Sequence, residues 1–140
     1  MPSSIAHGLA AGAIGTAFFP AERALYVAAV AAAILLDLDA VGWLFGRGDV
    51  AFLGGHRGLT HSLAFAAVLT VALVALLYRG TVAHSKWRLA LCLFLAIASH
   101  GALDALTTYG AGIRFLAPFS AERFKFPWQP IDAMLPEVIG

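Results

Sequence analysis

The chain has 140 residues, 61% of them hydrophobic and 12% charged, whereas a soluble domain is about half apolar and about a quarter charged. Too little polar surface remains to cover a soluble globule, so the chain reads as an integral membrane protein. A formal net charge of +1 with no basic stripe excludes nucleic acid as a partner, and a lone cysteine, Cys92, excludes an internal disulfide and a cysteine-rich zinc site.

Four apolar segments follow in chain order. The first, IAHGLAAGAIGTAFF at residues 5–19, is short, glycine-rich and carries His7. It lacks the basic start of a signal peptide, so it is expected to be retained. The second runs from about Ala24 to Phe45 and contains LLDLD, with Asp37 and Asp39. The third runs from His61 to Tyr78, with Thr60 as the expected N-cap and His61 in the first turn. The fourth runs from Leu89 to about Tyr109, and Cys92 within it reads as a small buried hydrophobe.

A spanning helix needs roughly 20 apolar residues. Segments three and four meet that length. Segment two meets it if its aspartates lie near the end, and segment one approaches it as a short or tilted helix. Small residues in AAGAIG and AAVAAA let helices approach closely. The tail alternates Phe115, Phe119, Phe124, Phe126 and Trp128 with Arg114, Arg123 and Lys125, which suits the headgroup level. The expectation is a single domain over residues 1–140. Its fold is all-α, a polytopic transmembrane bundle of about four helices with a C-terminal interfacial segment. The chain ends soon after Pro136, leaving room for a further helix beyond it.

Threading four helices up and down brings His7, Asp37, Asp39, His56, His61, His100 and Asp104 to one membrane face, from four separated stretches. His100 and Asp104 are four residues apart and share a helix face. His56 and His61 can share a site only if His56 lies in a loop, which Gly54, Gly55 and Gly58 permit. Asp37 and Asp39 can both face the site only if the helix loosens there. Otherwise one is a ligand and the other caps a neighbour or supports a histidine. Arg57 has two readings, a counter-ion for the carboxylates or an anion clamp. His84 falls on the opposite face and Asp49 in a loop, and neither is read as part of the site.

An ionisable side chain within the membrane costs at least about 2.5 kcal/mol, and no lysine or arginine lies inside the helices near these aspartates. A divalent metal would offset the carboxylates and orient neutral histidines. Histidine and aspartate together suit zinc, or manganese, better than magnesium.

His7, LLDLD at 35–39, HRGLTHS at 56–62 and HGALDALTTYG at 100–110 together resemble a family of bacterial membrane-bound metal-dependent hydrolases. That family is thought to be distantly similar to zinc-dependent phospholipase C. The resemblance covers most of the chain in order. It implies a hydrolytic site with His7, Asp37, Asp39, His56, His61, His100 and Asp104 as candidate ligands. The chain is short for that family, and the additional ligands of zinc phospholipases have no counterpart in it.

The function expected is hydrolysis of a phosphoester in a membrane lipid or lipid-linked substrate by a metal-activated water. Asp39 is the expected general base, Arg57 holds the anionic head, and Thr60 and Ser62 donate hydrogen bonds. By the positive-inside rule Arg23, Arg79, Lys86 and Arg88 in the far-side loops lean the site outward, while Arg47, Arg57 and the tail's Arg114, Arg123 and Lys125 lean it inward, so its sidedness stays open. The alternative is a metal-binding membrane protein or transporter without hydrolytic activity. A transport path would need polar residues through the bilayer, and helix three offers only Thr70. Clustered aspartates count against a haem site.

Overall fold

Segments rich in alanine, leucine and valine, punctuated by proline and serine, give four helices in the computed structural model, which describes residues 4–39, 56–77, 85–108 and 110–132. Helix α1 spans Ser4–Phe18 and stops ahead of Pro20, whose ring disfavours helical geometry in the residue before it. Helix α2, Arg23–Leu35, gives way to a 3₁₀ turn over residues 36–39. Helix α3 is Leu63–Leu77 and helix α4 is Lys86–Ala105.

Helix α4 is the spine. It packs against α1, α2 and α3, and its Leu89, Leu93 and Ile97 are fully buried. Helices α1 and α2 meet it and each other through Ala11, Ala29 and Ala33. Gly12 belongs to this close approach, because a Cβ there would lie 2.8 Å from the Tyr26 ring. The outward side of α3 is apolar, with Val68 and Val71 about 70% exposed.

Several expectations change. Among the described residues only α4, 20 residues with mean hydropathy 1.4, is long and apolar enough to cross a membrane. Helices α1 and α3 have 15 residues each and α2 has 13. The third segment therefore falls short of the expected spanning length within the described residues. Its cap also differs. Ser62 Oγ accepts the Phe65 N–H at 3.1 Å, so the helix starts at Leu63. His61 lies before it, in a 3₁₀ turn over Leu59–His61, and Thr60 is drawn away by Asp39. His84, Asp49 and the end of the second segment lie outside the described residues.

The tail folds across the end of the bundle that holds Leu63 and Ala105. The Leu63 N–H donates to the Phe115 carbonyl, the Phe126 N–H to Ala105 and the Ile131 N–H to Leu106. Two isolated bridges, Thr107 with Ile131 and Ile113 with Phe124, replace any strand among the described residues. Ile113 and Ala117 point inward and are fully buried. Phe119 and Trp128 point outward, 88% and 71% exposed.

Gly101 sets how closely the 3₁₀ turn sits on α4, since a Cβ there would meet the His61 carbonyl oxygen at 3.0 Å and the Phe115 ring at 3.2 Å. Gly101→Val is expected to destabilise the protein by roughly 1–3 kcal/mol through overpacking, read as a lowered melting temperature in detergent.

Candidate metal centre

The last two turns of α4 place His100 and Asp104 on one buried face. Helix α1 lays His7 flat on His100, with ring centroids 3.7 Å apart and planes 15° apart. The 3₁₀ turn after α2 delivers Asp37 and Asp39, and the turn before α3 delivers His56 and His61. All seven candidate residues therefore meet in one cluster. Within it three overlapping groups, His7–Asp37–His100, Asp39–His56–His61 and His61–His100–Asp104, each hold donor atoms within 4.8 Å of one another. The helix does not loosen at LLDLD but tightens to a 3₁₀ turn at 36–39, and the two aspartates reach different points of the cluster, Asp37 beside His7 and His100 and Asp39 beside His56 and His61.

The contacts divide the carboxylates. Asp37 Oδ2 accepts from Ser4 at 3.0 Å, while Asp37 Oδ1 faces His100 Nε2 at 3.3 Å. Asp104 Oδ1 accepts from the Arg57 guanidinium at 3.2 Å, while Asp104 Oδ2 faces His61 Nε2 at 3.4 Å. The two inward oxygens, Asp37 Oδ1 and Asp104 Oδ2, receive no hydrogen bond. His61 Nε2 and His100 Nε2 stand 3.0 Å apart in the same space. With both imidazoles neutral, as metal binding requires, this group of atoms has more acceptors than donors. Such a surplus in a buried space is the electrostatic condition for a cation. His100 Nδ1 and both nitrogens of His7 also make no hydrogen bond among the described residues.

Asp39 is engaged on both oxygens. Oδ1 pairs with His56 Nδ1 at 2.6 Å, and Oδ2 accepts from Thr60 and faces His61 Nδ1 at 3.1 Å. Burial works against its ionisation, but these partners outweigh it and hold the carboxyl well below the usual range. Asp39, the general base expected from the sequence, thus has both oxygens committed to protein partners. Burial also opposes the His61 imidazolium, but the facing carboxylates Asp104 and Asp39 push its pKa up to about 9.

Arg57 is 2% exposed and bonds Asp104 and Thr107. Arg57 is thus arranged as a counter-ion for Asp104. Its backbone is left-handed, with φ 62°, a conformation that costs a non-glycine residue about 1 kcal/mol or more. Gly110 makes room for its guanidinium, since a Cβ there would lie 2.6 Å from Arg57 Nη1. Sequence reasoning missed Ser4 and Thr107. Thr107 lies three residues past Asp104, where its hydroxyl bonds the Asp104 carbonyl at 2.7 Å and meets Arg57. That i, i+3 spacing at a helix end was the available signal.

Comparison with known proteins adds two findings. The family described as YdjM inner membrane protein matches residues 3–138. The "Inner membrane protein YbcI" of Escherichia coli (strain K12) is 38% identical over 137 residues, covering 94% of this chain and 76% of that protein. No solved structure matches the chain.

Two outcomes follow from the geometry. Without metal, the His61 imidazolium contributes stability that is whole below its ordinary value of 6.5 and is lost as pH rises through about 9. The melting temperature of metal-free protein should fall across that window, and His61→Gln should flatten the fall. Arg57→Met leaves the buried Asp104 carboxylate without its cation and should cost about 3–5 kcal/mol, measured by denaturation in detergent.

Proposed function

The chain belongs to the YdjM inner membrane protein family, and on that premise we propose that it is a polytopic inner-membrane, metal-dependent hydrolase of a phosphoester in a lipid or lipid-linked substrate. The observation that carries the metal is the buried acceptor surplus: two carboxylate oxygens without donors, facing two imidazole nitrogens 3.0 Å apart. Zinc suits this mixture of nitrogen and oxygen donors, with manganese the alternative. When bound, such an ion lowers the pKa of water toward neutrality and polarises a phosphoryl oxygen.

The protein's own part is orientation and charge. Arg57, Ser4 and Thr107 fix the outer sides of Asp104 and Asp37, so that their free oxygens stay turned inward. His7 stacks on His100 and holds its ring plane. An apolar groove of about 710 Å³ runs along α4, walled by Ile14, Phe18, Leu95, Ala98, Ala102 and Leu116. Ala98 and Ala102 are each two residues from His100, about 200° around the helix, so the groove lies on the side of α4 turned away from the cluster.

The test is elemental mass spectrometry of protein purified in detergent without a histidine tag, followed by phosphoester hydrolysis in lipid vesicles. Near-stoichiometric zinc or manganese and metal-dependent release of phosphate or a phosphorylated headgroup are expected. Both should be lost in the His61→Ala/Asp104→Ala variant. A folded parent that takes up no metal overturns the proposal. Metal without turnover leaves a metal-binding membrane protein instead.

A further inference from the structure

We infer that His61 Nε2, His100 Nε2 and Asp104 Oδ2 are the protein donors of the metal centre, and that Asp39 stands outside it as the positioning residue for His61. This rests on the metal reading above and divides the seven clustered residues by role.

The separations carry the first half. A tetrahedral ion with bonds of about 2.0–2.1 Å keeps its donors about 3.3–3.4 Å apart. His61 Nε2 and His100 Nε2 are 3.0 Å apart. Asp104 Oδ2 is 3.4 Å from the first and 4.0 Å from the second. The three separations scatter around the tetrahedral edge. Asp37 Oδ1, 3.3 Å from His100 Nε2, groups with His100 and His7 but not with His61 and Asp104, so it stands beside this triad. Asp104 spends one oxygen on Arg57 and keeps the other free, so it would surrender no hydrogen bond to bind an ion.

Asp39 is the opposite case. Joining an ion would disturb its bonds to His56 and Thr60 and its contact with His61. An imidazole binds metal through one nitrogen and is steered through the other, whose N–H most often donates to a carboxylate or a carbonyl. Asp39 Oδ2 and Thr60 Oγ1 both surround His61 Nδ1, at 3.1 Å and 3.0 Å. They hold the proton on Nδ1 and leave the Nε2 lone pair facing His100 and Asp104. The pair His56 and Thr60 in turn fixes Asp39. The four-residue chain His56–Asp39–Thr60–His61 is thus a brace for one ligand.

Cobalt(II) serves as the probe, because its visible absorption bands report its donor set. Parent protein, Asp39→Asn, Asp37→Asn and Asp104→Asn are titrated with cobalt in detergent, with circular dichroism as the folding check. Asp39→Asn should keep the parent's ion count and band positions while binding roughly 10–100-fold more weakly. Asp104→Asn should shift the bands or lose the ion, and Asp37→Asn should leave the band positions in place. An ion lost from Asp39→Asn, or bands that move in Asp37→Asn or Asp39→Asn as they do in Asp104→Asn, overturns the assignment; unchanged affinity in Asp39→Asn overturns the positioning role. X-ray absorption on the cobalt-loaded parent tests the same point without any variant: two imidazole donors are expected, and three or more overturn the inference. A folded parent that binds neither cobalt nor zinc removes the metal reading itself, a result distinct from either of these.

Discussion

Buried carboxylate charge is the constraint on which the rest of this structure depends. Asp37, Asp39 and Asp104 sit at the end of an apolar bundle in a chain that is 12% charged. Each is compensated in a different way: Asp104 by Arg57, Asp39 by two histidines and a threonine, and Asp37 by Ser4 on one side only. The backbone bends to allow this. Arg57 adopts a left-handed conformation, Gly110 clears space for its guanidinium, and α2 tightens into a 3₁₀ turn at its aspartates. Strain and irregular backbone concentrate where charge is buried, while the remainder of the helices is regular and apolar.

The packing of small residues makes the cluster possible. His7 can lie flat on His100 because α1 approaches α4 and α2 closely along Ala11, Gly12 and Gly15. Bulkier residues there would separate α1 from its neighbours and move the His7 ring off His100. At the other side of the cluster, Gly101 lets the turn carrying His61 rest on α4. The alanines and glycines that looked like generic helix packing thus set the distances between ligand-type side chains.

Much of this was legible in the sequence because simple topology and helical spacing are strong constraints. Four apolar segments with polar residues alternately at their ends and starts must bring those residues together, and His100 and Asp104 at i, i+4 must share a face. Local hydrogen-bond competition was not legible. Thr60 and Ser62 are both good N-caps by residue type, and only the position of Asp39, 21 residues earlier, decides that Thr60 is drawn away and Ser62 caps. The role of Arg57 was open for the same reason: spacing does not reveal which carboxylate a guanidinium reaches. The lengths of the helices were overestimated, because an apolar composition continues through residues that the backbone uses for turns, as at 36–39 and 59–61.

The depth of the cluster bears on what it can act upon. Helix α4 has 20 residues, about 30 Å at 1.5 Å per residue, close to the thickness of a hydrocarbon core. Asp104 is one residue and His100 five residues from its end at Ala105, so both lie within about 8 Å of that end. Exposed Phe119 and Trp128 lie beyond it and exposed Trp87 lies at the opposite end, the distribution of an aromatic belt at each boundary. A transport site would stand near the middle of the helix, at the bilayer midplane. A cluster in the last two turns instead stands at one end of that helix, next to the tail that folds across it.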